Sequence, residues 1–227
     1  PALFDYDKID KLIAISPYIF EEFHRVANIP REKMTVIYNA VDTDRFNKTK
    51  SKESKFNLGI IGIVPKLKRL DRALDVFEAL HKKDPRYKLF IKGKHPKEFG
   101  WVWNNQEERE HYEAAFTRIE KYKGSISFEG WGDVSLWLQD IGFVLSVSDY
   151  ESFHMAPIEG MTSGAFPVVL RREGVNTVFP PEFIHNSIEE AVEFIYSHNK
   201  GVTENLADFV INNYSLQKIG RELEQLF

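Results

Sequence analysis

An α/β fold, with a mostly parallel sheet flanked by helices, is what this sequence predicts, on three observations. Short β-rich runs alternate with longer stretches of helical periodicity, the pattern of successive βα units. One run, "FNLGIIGIV" at 56–64, is apolar almost throughout, as in a strand buried on both faces of a parallel sheet. Glycines also recur where strands should end, at Gly62, Gly93 and Gly130. At that edge of an open parallel sheet the backbone must approach a ligand closely. Tight βα turns explain each glycine alone; three at one edge favour a crevice.

The elements follow in order. "KLIAIS" (11–16) reads as a strand and "PYIFEEFHRVAN" as a helix with Pro17 near its start; "MTVIYN" is a strand leading into "AVDTDRF". "NKTKSKESK" (47–55) is polar, basic and aperiodic, and reads as a linker. After the run at 56–64 comes a helix with Leu70, Ala73, Leu74, Phe77 and Leu80 on one face. Then follow the strand "YKLFIKG", a helix across "NQEEREHYEAAFTRIEKY", the strand "SISFEG", a short helix "DVSLWLQDI" and the strand "FVLSVS". "FPVVL" is read as the last strand, and the tail from Ile188 as three helical pieces.

Composition narrows the function classes. The chain of 227 residues has 30 Lys and Arg against 34 Asp and Glu, a net charge of -4, so nothing draws it as a whole to nucleic acid or an anionic membrane. With no cysteine, disulfides, thiolate metal sites and thiol redox chemistry are excluded, which suits a reducing cytoplasm. No apolar run approaches the roughly 18 residues of a membrane span, and no signal-peptide pattern opens the chain. Because it starts at Pro1, we expect a processed or excised piece of something longer.

The chemistry concentrates in "DYESFHMAPIEGMTSG" (149–164). A helix should begin around Ser152 to Met155 and stop at Gly164. The amides of Phe153, His154 and Met155 would then be unpaired donors at a helix start, a ready site for phosphate. Glu159 lies about one turn in, and because helical side chains lean towards the N-terminus its carboxylate reaches back to the same crevice. Two carboxylates flanking an anion site suit a phosphate with a sugar on each side, which describes a nucleotide-sugar. The plainer reading has Glu151 capping the helix and Glu159 facing solvent. A metal site from Asp149, Glu151 and His154 is weaker, since no second cluster accompanies them.

These residues carry a family resemblance. "ESFHMAPIE" resembles the E-x7-E motif of the retaining glycosyltransferases of family 4, or group 1, with the GT-B fold. "DKLIAISPYIFEEF" is similar to the end of that family's N-terminal domain and "VIYNAVDTDRF" to its hinge. "GIVPKLKRLDRALDVFEAL" resembles its phosphate-binding loop and helix, "LFIKG" the next strand, and "ISFEGWGDVSLWLQDIGFVLSVSDYESF" the base-binding loop and the approach to the motif. From Asn186 onward the likeness is generic.

The resemblance implies a Rossmann-like C-terminal half of a GT-B fold. Residues 1–46 would be the end of the N-terminal acceptor-side domain and the hinge, 47–55 the linker, and 56–227 the nucleotide-sugar-binding domain. It implies transfer of a sugar from a UDP- or GDP-sugar, with retention of configuration and no metal or further cofactor. The acceptor would be a carbohydrate or a lipid-linked molecule, met by the missing part of the N-terminal domain. The whole protein would lie in the cytoplasm or at the inner face of the membrane, in polysaccharide biosynthesis, and the segment alone would be inactive. By position, Glu151 would bind donor-sugar hydroxyls and Lys68 would neutralise the diphosphate; these are the catalytic candidates. Gly62 and the backbone of Phe153, His154 and Met155 would meet the sugar and its diphosphate. Glu159 would hold the ribose, and Gly93, Gly130 and Trp131 would lie at the nucleotide.

Three positions depart from the family pattern. Ile63 stands where an arginine is usual, with Lys66 or Arg69 as substitutes; His154 stands where a glycine is usual; Ala40 replaces the hinge glycine. Ile63 and His154 keep open a non-catalytic nucleotide-sugar-binding or scaffold domain, and a GT-B relative such as an epimerase or phosphorylase, which would keep the same scaffold, is the other alternative. Of the other candidates, His24, His81, His111 and His198 are expected on solvated helix faces, and His95 stands at the crevice edge. Trp101 and Trp103 could stack on a base or sugar but are expected to cover a core edge, Tyr150 and Trp137 to pack, and Gly174 and Asn176 to approach the donor sugar.

Overall fold

The computed structural model describes residues 8–198 and 206–226. Two parallel strands, β1 (Leu12–Ala14) and β2 (Met34–Val36), are joined by helix α1 (Pro17–Ala27). Helix α2 (Thr43–Phe46) leads to the main sheet of β3 (Asn57–Ile61), β4 (Lys88–Lys92), β5 (Ile126–Phe128), β6 (Phe143–Ser146), β7 (Phe166–Leu170) and β8 (Ile184–His185). The helices between and after them are α3 (Leu70–Lys83), α4 (Gly100–Trp103), α5 (Gln106–Glu120), α6 (Val134–Trp137), α7 (Met155–Thr162), α8 (Ile188–His198), α9 (Leu206–Tyr214) and α10 (Leu216–Glu224).

Every pairing in the six-stranded sheet is parallel, and the order is β5-β4-β3-β6-β7-β8. This is the doubly wound, Rossmann-like arrangement, in which the strand order reverses at β3 and β6 and ligands bind beyond the carboxyl ends of those two strands. The central strands carry the core: β6 and β7 are buried at every position, as the apolar runs predict. Helix α3 turns Leu70, Ala73, Leu74, Phe77 and Leu80 inward and packs against α5 and α8. Helix α7 packs against β6, β7 and α9.

Helix α3 carries the expected residues, and before it Lys66–Lys68 form a 3₁₀ turn and Arg69 is left-handed (φ 56°). Two features differ from expectation. A sixth strand, β8, extends the sheet beyond "FPVVL", and two residues are too few for alternation to signal it. The polar segment 47–55 is not a solvated spacer throughout. Its Lys50 donates Nζ to Leu138 O and Ile141 O, both at 2.5 Å, and to Ser163 Oγ at 2.9 Å, and Ser54 is buried.

The N-terminal piece meets the main body at the loops that follow β6 and β7. Ser16 caps α1, accepting from Ile19 N, and donates its hydroxyl to Ser152 O at 3.1 Å. Tyr38 donates to Thr177 O and Tyr18 to Glu173 Oε2, each at 3.1 Å. At the other end the tail returns to the hinge, where Val41 N donates to Tyr214 O and Leu216 N to Val41 O. Ala40 has ordinary negative-φ backbone, so a side chain is tolerated there. No helix among the described residues is long and apolar enough to cross a membrane.

The seating of α7 on the sheet depends on Gly160. A Cβ there would stand 2.6 Å from Val144 Cγ2 and 3.2 Å from Val144 Cβ. Gly160→Ala must lift α7 from β6, and overpacking of this kind costs about 1–3 kcal/mol. A denaturant melt is expected to register that loss, and because Glu159 is the adjacent residue, ligand binding should weaken with it. A melt unchanged from wild type would show that the sheet yields at Val144.

Candidate functional site

The loops that follow β3 and β6 meet at the reversal of strand order. Asp149 N donates to Leu67 O at 2.9 Å, and Arg72 Nη1 to Val147 O at 3.1 Å. The Asp149 carboxylate sits between Arg69 (3.0 Å) and Arg72 (2.8 Å). Because the 3₁₀ turn and the left-handed Arg69 hold Lys68 outside α3, its side chain crosses to the other loop. There Nζ lies 2.6 Å from Glu151 Oε1, in a pair whose side chains are only 23% and 11% exposed.

Glu151 is the centre of a polar cluster. Ser148 Oγ donates to Oε1 at 2.8 Å, and His154 Nδ1 lies 3.6 Å away. Burial opposes ionisation of Glu151, but His154, Lys68 and Ser148 together hold its carboxyl below the ordinary value. Burial also drives the His154 ring down to about 3, with Glu151 opposing. The ring is therefore neutral at physiological pH, which leaves Lys68 and Ser148 as the groups that keep Glu151 charged. His154 Nδ1 also lies 2.7 Å from the hydroxyl of the fully buried Ser146.

His154 has φ 70° and ψ 83°. That left-handed backbone is the physical reason for glycine at the corresponding position of the resemblance, and a side chain there costs about 1–2 kcal/mol. It is also the residue before α7, which begins at Met155, within the expected start, and ends at Thr162, two residues before Gly164 (φ 78°). The amides of Met155 and Ala156 are in the first turn, where no helical acceptor exists.

On the β3–β5 side lies a cavity of about 360 Å³, lined by 61–64, 92–94, Phe99, Trp131 and Val134, and by Arg45 and Glu159. The strand-end glycines are stitched together here: Gly62 N donates to Lys92 O at 2.8 Å and Gly93 N to Gly130 O at 3.0 Å. All three have positive φ, and a Cβ on Gly93 would come within 3.4 Å of Gly62. Trp131 is 80% exposed at the rim, with Lys94 Nζ 6.0 Å from its ring. Burial raises the Glu159 carboxyl above its ordinary value, and Arg45 counteracts this in part.

The predicted residues thus gather in two neighbouring groups bridged by α7. Lys68, Glu151, His154 and Met155 form one; Gly62, Gly93, Trp131 and Glu159 form the other. Gly130 stands behind the cavity wall, with its carbonyl taken by Gly93. The Phe153 side chain is in the core, between Tyr38 and Tyr214, so only its backbone is left to face a ligand.

Several expectations need correction. Neither substitute cation is free: Lys66 pairs with Glu107, and Arg69 with Asp71 and Asp149. His24, His81, His111 and His198 are half-buried rather than solvated; His81 stacks on Phe77 and His198 on Phe194. His95 caps a 3₁₀ turn and stacks on Phe116. Trp101 and Tyr150 are exposed, and Gly174 lies under the Tyr18 ring. Asp149, Glu151 and His154 each have other partners, and among the described residues no cluster of three or more His, Asp or Glu is arranged to hold a metal.

Sequence reasoning overlooked Arg172, Arg45, Ser146 and Ser148. The rule that singled out the glycines, position at a strand's carboxyl end, also points to Arg172 after β7 and Ser148 after β6.

The family model for glycosyl transferases group 1 matches residues 41–195, and that for Glycosyltransferase Family 4 matches residues 2–45. No curated protein matches the chain. Among solved structures, Anabaena HepE in complex with UDP and glucose superimposes with a TM-score of 0.79 at 16% identity, covering 96% of this chain and 62% of that one. A glycosyltransferase from Rickettsia africae gives 0.76 at 18% identity, over 97% and 64%. A mutant of S. aureus TarM in complex with fondaparinux, α-GlcNAc-glycerol and UDP gives 0.73 at 20% identity, over 97% and 44%. At these identities the likeness is one of fold, and this chain spans less than two thirds of each of the three.

Proposed function

Because this chain belongs to the group 1 glycosyl transferases, whose family model covers residues 41–195, we propose that it binds a nucleotide-diphosphate sugar at the carboxyl ends of β3 and β6. The observation that carries the reading is the arrangement around α7. A paired Lys68–Glu151 lies before its first turn, and Glu159 lies one turn on, facing a cavity with an exposed tryptophan at its rim. The cavity suits a nucleobase and ribose, with Trp131 against the base and Glu159 accepting from ribose hydroxyls. The diphosphate then spans to the start of α7, and the sugar comes to Glu151 and His154.

The chemistry follows from charge. As the glycosidic bond stretches, negative charge grows on the departing nucleoside diphosphate, and a fixed cation and helix-end amides stabilise it. Lys68 is the cation, and Glu151 orients the sugar through its hydroxyls. In the whole protein the sugar would pass to a carbohydrate or lipid-linked acceptor with retention of configuration and without a divalent metal, in the cytoplasm or at the inner face of the membrane. UDP is favoured as the nucleotide because HepE and TarM, similar in fold, are complexed with it.

Titrating this chain with UDP, GDP and ADP by calorimetry tests the reading. Selective binding of one nucleotide is expected, weakened about tenfold by Trp131→Ala through loss of base stacking. Binding of none of the three would overturn it.

A further inference from the structure

One cation at the crevice is not used by that reading. Arg172 follows β7 and lies across the ends of two strands, with Nη1 3.4 Å from both Ser146 O and Leu170 O, at the long limit of a hydrogen bond. Its Nε is buried without a partner. Burial pulls its pKa down to about 10, against the Glu151 charge, and so leaves it cationic at neutral pH. A guanidinium presents five donors in a fork that matches phosphate, and leaving such a group buried without an anion is unfavourable.

Its contacts lead into the site. Arg172 meets the Ser146 carbonyl, the Ser146 hydroxyl meets His154, His154 flanks Glu151, and Glu151 holds Lys68. Two cations therefore stand at the ends of one chain of contacts whose only anion is Glu151, since His154 is neutral. That leaves one positive charge in excess beside the first turn of α7. The excess fits an anionic ligand, and of the two cations Arg172 is the one that no carboxylate already meets.

We propose that Arg172 binds the second phosphate of the donor's diphosphate and shares with Lys68 the charge that develops on the leaving group. This deepens the donor-site reading and rests on it. It assigns Arg172 a role that Lys66 and Arg69, held in ion pairs elsewhere, do not fill.

Matched titrations with UDP and UMP, and with GDP and GMP, test it on wild type, Arg172→Gln and Arg172→Lys. Glutamine keeps a donor for the two carbonyls and removes the charge. For the pair that binds, Arg172→Gln is expected to lose about tenfold or more in diphosphate affinity, as charge-assisted hydrogen bonds predict, with the monophosphate within about twofold. Arg172→Lys should recover part of the loss. If glutamine weakens both members equally, or neither, Arg172 is a prop for the strand ends and the proposal fails. If the glutamine variant melts early, the lysine variant decides by the same ratio of diphosphate to monophosphate affinity. A loss confined to UDP-glucuronate against UDP-glucose would put the anion on the sugar and overturn the assignment. Failure of the wild type to bind either pair would instead sink the donor-site reading itself.

Discussion

Lys68→Met in the whole protein is expected to lower kcat by about two to three orders of magnitude, the loss usual when one preorganised electrostatic donor is removed, with a much smaller change in the KM for the donor. Methionine fills the same space without the charge, so the effect has two electrostatic origins. The cation at the departing diphosphate is gone. Glu151 also loses its ammonium partner at 2.6 Å and keeps Ser148 and a neutral His154 in a site only 11% exposed. Burial, which Lys68 helps to overcome in the wild type, then acts against a weaker opposition.

The direction with pH follows. In the wild type the folded-state pKa of Glu151 is lowered, so its contribution to stability is present above the unfolded value and is lost as pH falls through the folded one. In Lys68→Met the Glu151 pKa rises, so that contribution shrinks and the acid limb of the pH–rate profile moves to higher pH. Kinetics across the acid range, with a parallel stability curve, check both. A kcat within a factor of about three of wild type would remove Lys68 from the chemistry.

How far such a site can be read from sequence depends on which physical signal each part leaves. The strands β3, β4, β6 and β7 are long enough, and apolar enough, to be legible from periodicity and burial, and Gly62, Gly93 and Gly130, each with positive φ, mark the carboxyl ends of β3, β4 and β5. The spacing of Glu151 and Glu159 follows from a helix starting near Met155. What was not legible is tertiary. Nothing local says that Lys66 pairs with Glu107, 41 residues away, and so is not a free phosphate ligand. Nor does periodicity show that the helical histidines turn inward to stack on Phe77 and Phe194. Arg172 follows a strand at the legible edge, but its buried, unpartnered Nε appears only once β6 and β7 are paired. The left-handed turn at Arg69, which sends Lys68 across to Glu151, has no sequence signature, since arginine is not a residue expected there.

Glu159→Gln is expected to bind nucleotide about tenfold to a hundredfold more weakly than wild type, because hydrogen bonds to a charged acceptor are each worth about 1.5–3 kcal/mol, and yet to be at least as stable at neutral pH. The two effects share one cause. Burial raises the Glu159 carboxyl, and Arg45 offsets this only in part. A raised folded-state pKa means that its contribution to stability is fully present below the unfolded value and is lost as pH rises through the folded one. Without a bound ligand the ionised carboxylate therefore destabilises the fold, and glutamine removes that charge at nearly constant shape. Ribose hydroxyls that donate to the carboxylate would supply the missing partners, which is why the charge is worth keeping in a binding protein. Binding should accordingly favour the ionised form. Nucleotide affinity should fall as pH drops through the raised value, and a proton should be released on binding in that range, measurable by calorimetry in buffers of different ionisation enthalpy. In Glu159→Gln the pH dependence and the proton release should both vanish, and the stability difference from wild type should close at acid pH. Affinity unchanged by glutamine, or a variant less stable than wild type at neutral pH, would mean that Glu159 is a structural carboxylate that takes no part in holding the ligand.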